Sequence, residues 1–459
     1  MILGIGFANP LLVGIIALAL LLVLIFLGVR VVFAAAVVGL IGLIEILGWR
    51  SAAGIVGTIP HAKSSTYALS VLPMFIFIGF MAFHAGMTSK LFDASRKWLG
   101  WLPGGLAVAT VFATAGFAAV SGASTATAAV FSRVAIPEML KYGYDRKMAA
   151  GVVAAGGTLA TLIPPSAIIV IYAIIVETSV GALLLAGFLP GLVSALIYAG
   201  IIVVWAMMKP DHAPSVSGFT WGERFKAIPG ITPIMAVVVI IVSAIYGGWA
   251  TPTEAGALGA AVVFVVAIFS GARVSAIKDS LMESAKLTVM IFSLIWGVLI
   301  FVRFLGFSGL PEAFTSWILT LQVSPMIILI FVLLAYAVLG MFMDAIGMLL
   351  LTLPVVYPAM MALNGGAGVS AADSAFGVSG SMAPIWFGII VVKMAEVCLI
   401  TPPIGLNCFV VNGVRPDIPL TDVFRGIALF FVADVLTIAV LLFFPQIITW
   451  LPELMQTRR

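Results

Sequence analysis

The sequence predicts an all-α polytopic membrane protein made of inverted repeats, and three observations carry that prediction. Hydrophobic residues fill 63% of the 459 positions and charged residues 9%, with apolar runs of helix-spanning length almost end to end. Two apolar runs, 154–172 and 397–412, are each interrupted by a proline pair, Pro164-Pro165 and Pro402-Pro403. Proline lacks the backbone N–H, so the pairs free the carbonyls of Ala160 and Thr161 and of Cys398 and Leu399, a break tolerable in hydrocarbon only where protein or a watery cavity covers it. Finally, 15 of the 22 Lys and Arg fall in alternate loops, on the inner side of a topology whose N-terminus is outside.

Ten crossings are expected, at 10–27, 31–48, 66–87, 148–177, 183–208, 231–248, 253–270, 287–308, 383–412 and 426–449. The first is a span rather than a signal peptide, because no basic residue precedes it and no small-residue cleavage site follows. Two further apolar pieces, 103–140 and 324–362, are interrupted by small or polar residues, Ser121 to Thr127 in one and Gly340, Asp344 and Gly347 in the other, and read as re-entrant hairpins. The first is flanked by Lys90, Arg96, Lys97, Lys141, Arg146 and Lys147 and opens from the cytoplasm; the flanks of the second carry no Lys or Arg, so it opens from outside. Arg50, Lys63, Arg458 and Arg459 fall outside, and Arg133, Arg303 and Lys393 at membrane depth. Ser89–Trp101, Ala272–Lys286 and Leu310–Leu321 read as helices lying along the interface. No polar stretch is long enough for a soluble domain.

A hairpin, a broken helix and a closing span thus occur twice with opposite orientation. Ile163-Pro164-Pro165 and Thr401-Pro402-Pro403 lie 238 residues apart, and Gly187 and Gly426, which open the closing spans, lie 239 apart. That is the signature of an inverted repeat around a midplane site.

Unwound carbonyls beside hydroxyls suit a hard monovalent cation such as sodium, the one metal expected here. The first candidate site joins Ser121, Ser124, Thr125 and Thr127 at the hairpin tip to Gly157, Thr158, Ala160, Thr161, Pro164, Pro165 and Ser166 of the broken helix. The second joins Gly340, Asp344 and Gly347 to Cys398, Thr401, Pro402, Pro403, Ile404 and Asn407. Half-helix N-termini after Ser124, Pro165 and Pro403 would welcome an anion. Arg30, at a tight inner turn, either marks topology or meets an anionic substrate. Lys393 and Glu396, three apart on one helical face, are expected to neutralise each other, and Arg303 to reach the interface.

Small-residue packing is the structural alternative for the Ser/Thr/Gly tip, and a helix cap is the alternative for Asp344. The two cysteines show no disulfide or metal spacing, and the net charge of +4 is scattered over short loops, which does not suit nucleic acid. No HExxH, phosphate loop or GxSxG elbow is present, so no enzyme activity and no cofactor beyond coupling sodium ions are expected.

The segments AVSGASTATAA (119–129), GGTLATLIPPS (156–166), GWATPTEAGALGA (248–260), GMFMDAIGMLLLTLPVVYP (340–358) and IWFGIIVVKMAEVCLITPPIGLN (385–407) resemble the large membrane subunit, DctM type, of tripartite ATP-independent periplasmic (TRAP) transporters, in the ion-transporter superfamily. The resemblance implies sodium-coupled uptake of a small organic acid, such as a C4-dicarboxylate or sugar acid, by an elevator movement in a bacterial inner membrane. It implies a periplasmic binding protein that delivers the solute and a small four-span subunit, here expected as a separate polypeptide because the chain starts at its first M-type span. It also divides the chain into scaffold (1–87, 183–308, 414–459) and transport halves (88–182, 309–413). A stand-alone carboxylate transporter or sodium/proton antiporter of the same superfamily is the alternative. Residues 364–384 are longer and richer in Gly and Ser than the family linker and read as a flexible insertion or, less simply, a contact for the binding protein.

Overall fold

The computed structural model describes residues 9–456; Arg458 and Arg459 lie outside them. All regular structure among the described residues is helical. The first third runs α1 (Pro10–Phe26), α2 (Val31–Leu47), α3 (Trp49–Ser64), α4 (Val71–His84, after a 3-10 turn), α5 (Met87–Leu99), α6 (Gly105–Ser121) and α7 (Ser124–Lys141). The middle holds α8 (Arg146–Thr158), α9 (Ala167–Ile175), α10 (Val180–Met208), α11 (Trp221–Tyr246), α12 (Pro252–Phe269) and α13 (Val274–Ser308). The last part is α14 (Leu310–Thr320), α15 (Pro325–Gly340), α16 (Ala345–Leu363), α17 (Ala383–Cys398), α18 (Leu406–Val414), α19 (Leu420–Phe443) and α20 (Gln446–Gln456).

Ten helical passages and two hairpins result, as expected. The hairpins are α6–α7 and α15–α16, and the broken passages are α8–α9 and α17–α18. The proline pairs stop each broken passage where the missing donors predict, and α9 restarts on Ser166, whose hydroxyl accepts from Ile169 N.

Five local readings change. Residues 49–64, left unassigned by hydropathy, form α3, a mixed Ala/Gly/Thr/Lys helix that no apolar run announces. The span expected from 231 begins ten residues earlier, on a capping box in which Thr220 and Glu223 satisfy each other's backbone donors. The expected interface helix 272–286 is no separate element: with no Gly or Pro between 274 and 296 it continues into the next span as the 35-residue α13. The last span starts at Leu420 and stops at Phe443, before Pro445. Residues 364–382 are a packed loop rather than a loose insertion: buried Asn364 donates to Val378 O (2.9 Å) and accepts from Phe376 N, and the Phe376 ring stacks on Trp386.

The loops rich in Lys and Arg meet on one face. Asp145 N donates to His212 O, Arg146 pairs with Asp422 at 2.7 Å, Trp98 donates to Arg224 O and His84 lies 3.2 Å from Glu283. On this basic face Arg96 pairs with Asp93 of its own helix and with Glu138 at the base of the first hairpin, so α5 is a strap on that hairpin. Burial would raise the Asp93 pKa, but hydrogen bonds from Lys97 and Arg96 outweigh it and hold the carboxyl below its ordinary 3.8. A depressed folded-state pKa adds stability that is complete above the unfolded value and is lost as pH falls through the folded one. Between about pH 6 and pH 3 the unfolding midpoint in detergent is therefore expected to fall less in Asp93→Asn than in the parent chain; equal falls would contradict the pairing.

Candidate functional site

The first hairpin tip is pressed onto the first break by glycines. Gly122 adopts φ +57°, and a Cβ there would lie 2.4 Å from Pro165 O; a Cβ on Gly157 would lie 3.1 Å from Ser124 O. Ser121 and Thr127 hydroxyls are 3.1 Å apart across the tip, while Thr125, at the same turn, is half-buried. The break itself, from Leu159 to Ser166 and thus Ala160, Thr161, Pro164 and Pro165, is wholly buried, and the Ser166 hydroxyl donates to the freed Thr161 carbonyl.

Asn407 does not join the second hairpin, where the sequence grouped it. Its Nδ2 donates to the Ser124 hydroxyl (2.9 Å) and to Ala154 O (3.0 Å), carrying the second broken passage onto the first hairpin. Its Oδ1 is buried without a hydrogen-bond partner. An amide oxygen of this kind is hard-ligand chemistry that can hold a cation. Asn407→Leu strands the Ser124 hydroxyl and the Ala154 carbonyl and is expected to lower stability by about 1–3 kcal/mol, read as a lower unfolding midpoint in detergent; an unchanged midpoint would contradict the bridge.

The second half is looser. Asp344 accepts from Gly347 N at 2.9 Å, so it caps α16. Gly340 lies so close to Cys398 that a Cβ would meet its sulfur at 1.8 Å. The Thr401 hydroxyl donates to Val397 O of its own turn, while Pro402, Pro403 and Ile404 are exposed, unlike the buried first break. The tip rests against the α1–α2 turn: Phe26 meets Phe342 edge-on at 4.8 Å, and a Cβ on Gly347 would lie 3.1 Å from Val31. Arg30 stands exposed beside that contact, one residue before Val31, and its side chain makes no hydrogen bond or ion pair among the described residues.

Sequence reasoning missed a buried charge cluster. Lys393 is 0% exposed and donates to Asp434 of α19 (2.7 Å) and to Ser194 of α10 (2.7 Å), with Glu396 at 3.1 Å. Tyr198 donates to Asp434 at 2.6 Å, and the Thr158 hydroxyl lies 2.8 Å from Glu396. The expected Lys393–Glu396 pair exists, but Asp434 and the first broken passage complete it. The only sequence signal was that all three ionisable residues sit in apolar runs. Glycines tighten the same seam. A Cβ on Gly187 would lie 2.4 Å from Leu162 O, and one on Gly426 1.9 Å from Lys147 O, so both closing helices, α10 and α19, pack directly on the first broken passage.

Two cavities flank this body. One, of about 190 Å³, lies between α4 and α7, running from Ser121 and Ala123 at the first tip to Arg133 and Glu283. The other, of about 520 Å³, lies between α13 and the pair α9 and α16, and holds Lys63, Arg303, Glu177 and Glu312.

Residues 18–447 match the family model described as "Tripartite ATP-independent periplasmic transporter, DctM component". The chain is 36% identical, over 85% of its length and 85% of the relative's, to the C4-dicarboxylate TRAP transporter large permease protein DctM of Pseudomonas aeruginosa. It is 30% identical to the ectoine TRAP transporter large permease protein TeaC of Halomonas elongata, over 84% of the chain and 86% of the relative. It is 28% identical to the sialic acid TRAP transporter large permease protein SiaM of Vibrio cholerae, over 84% and 87%. In fold it is similar to the solved YdaH transporter of Alcanivorax borkumensis, with a TM-score of 0.56 at 15% identity, covering 87% of this chain and 89% of that one. Paired hairpins, paired broken helices and a family match from the first span to the last place this chain among the DctM components of the tripartite ATP-independent periplasmic transporters, as a large membrane permease subunit.

Proposed function

We propose that this permease couples sodium entry to the uptake of a small organic anion, moving the two hairpins and two broken passages against a fixed frame. The carrying observation is the Asn407 bridge: one side chain ties the second broken passage to the first hairpin tip and leaves a buried oxygen free beside Ser124. Relatives named for C4-dicarboxylate and sialic acid support an organic acid as solute, the one named for ectoine a wider range. In this reading the candidate residues of both halves supply sodium and solute contacts, Arg30 included. A periplasmic binding protein delivers the solute, and a separate four-span subunit steadies the frame. The basic face is cytoplasmic, the N-terminus periplasmic, and the membrane the bacterial inner membrane. The cavity that joins the first tip to the basic face is read as an inward-facing opening.

The moving unit is larger than the divisions at 182/183 and 413/414 allow. Sliding α10 or α19 past the broken passages would pull Asp434 and Ser194 from buried Lys393 and drag the Gly187 and Gly426 seams apart. Leaving one ion of such a pair alone in the interior costs several kcal/mol. Both closing helices therefore travel with the hairpins, and the frame is α1–α4 with α11–α13, strapped by α5 and α14.

The test is uptake into proteoliposomes holding the permease, its small subunit and the binding protein encoded beside it, under an imposed sodium or proton gradient. Sodium-driven uptake is expected. Uptake indifferent to sodium removes the ion assignment, and uptake without any binding protein favours a stand-alone carrier.

A further inference from the structure

We propose that Arg133 is an anion-binding residue of the solute path, holding a carboxylate between the first hairpin tip and the basic face. The inference rests on the organic-anion reading above and adds a residue to it. Arg133 lies nine positions after Ser124 and eight before Lys141, the base of the hairpin. At 1.5 Å per residue it is about 12–14 Å from either end of α7, midway along the arm that runs from the tip to the basic face.

An arginine at that depth is costly unless it is paired or faces a watery cavity. Among the described residues the exposed Arg133 side chain has no hydrogen bond, ion pair or ring contact, whereas Arg96, Arg146 and Arg415 each meet a carboxylate. It does face a cavity. Ala126, Ala129, Val130 and Arg133, at i, i+3, i+4 and i+7 of α7, line the 190 Å³ space together with the α4 residues Ile76, Gly79, Phe80 and Phe83. Alanines on the α7 wall leave the room, which suits a small organic acid, while Gly79 lets α4 close on the Ser121 backbone, where a Cβ would lie at 2.6 Å.

The polar lining is short and ordered along the path. Ser121 stands at the tip, then come apolar walls, then Arg133, and the other charged residue is Glu283 of α13. Glu283 is engaged by His84 at 3.2 Å from the frame, which leaves the guanidinium free for an incoming carboxylate. A planar guanidinium takes a carboxylate through two parallel hydrogen bonds, which an ammonium cannot reproduce in geometry but replaces in charge. Glu283, of like charge to the solute, keeps that hold weak enough for release.

The experiment uses the complete three-component transporter in proteoliposomes, with succinate, N-acetylneuraminate and ectoine as probes. Arg133→Gln is expected to cut uptake of the carried acid about tenfold or more, and Arg133→Lys, which keeps the charge but not the paired geometry, to fall between Arg133→Gln and the parent. Arg133→Cys is expected to be as poor as Arg133→Gln and to recover when treated with 2-aminoethyl methanethiosulfonate, which restores a positive charge, but not with the neutral methyl reagent. The native Cys398 and Cys408 are buried, and the parent chain given the same reagents is the control. Parental uptake in Arg133→Gln, or equal recovery with the neutral reagent, overturns the assignment. Should the parent carry none of the three probes, the organic-anion reading falls, and the role of Arg133 with it.

Discussion

Lys393→Ala is expected to lower the stability of the folded chain by about 3–5 kcal/mol, the largest loss from a single substitution proposed for this protein. The side chain is 0% exposed and holds Asp434 at 2.7 Å, Glu396 at 3.1 Å and Ser194 at 2.7 Å. Removing the ammonium leaves two buried carboxylates with only hydroxyl donors, from Tyr198, Thr158 and Thr161, and the Asp434 Oδ2 atom already lacks a partner. Like charges then face each other in a medium that screens them poorly. The measurement is the thermal midpoint of the purified permease in detergent. A triple exchange, Lys393→Met with Glu396→Gln and Asp434→Asn, is expected to recover much of the loss, because removing both signs together leaves no unpaired charge. An unshifted midpoint in Lys393→Ala would show that α10, α17 and α19 are not held by this cluster, and the enlarged moving unit would lose its main support.

Gly122→Val is expected to abolish most transport while leaving insertion and folding nearly intact. A β-branched residue at φ +57° costs about 1–2 kcal/mol in backbone conformation alone, and its Cβ would press within 2.4 Å of Pro165 O. The backbone of the break cannot yield, since Leu159 to Ser166 are buried on all sides. The tip must lift instead, pulling Ser124 from Asn407. Displacement worth that much lowers the competent population about 5- to 30-fold. Uptake by the reconstituted complex, beside a normal elution profile, is the measurement; uptake at the parental rate would mean the tip does not need its seat on the break.

Hydropathy read ten passages and two hairpins correctly because membrane spanning is a local demand: each segment must satisfy its own backbone donors in hydrocarbon. The broken passages were legible for the same reason, since a proline pair removes donors whatever surrounds it. Where signals were local but weaker, boundaries slipped. The Thr220/Glu223 capping box was there to be read, and so was the uninterrupted run that makes α13 one helix. The helix α3 carried no apolar run at all.

Side-chain partners were a different matter. Asn407 reaches Ser124 across 283 positions, Glu396 reaches Thr158 across 238, and Lys393 finds Asp434 on another helix. Each distance is set by how helices pack, and no periodicity or composition encodes it. The sequence alone therefore determined the class, the inverted repeat and the two breaks, all properties of single segments against lipid. Only the tertiary structure decided that Asn407 serves the first hairpin, that α10 and α19 are bound to the broken passages, and that Arg133 faces a cavity, because those follow from which buried groups must find each other once water is gone.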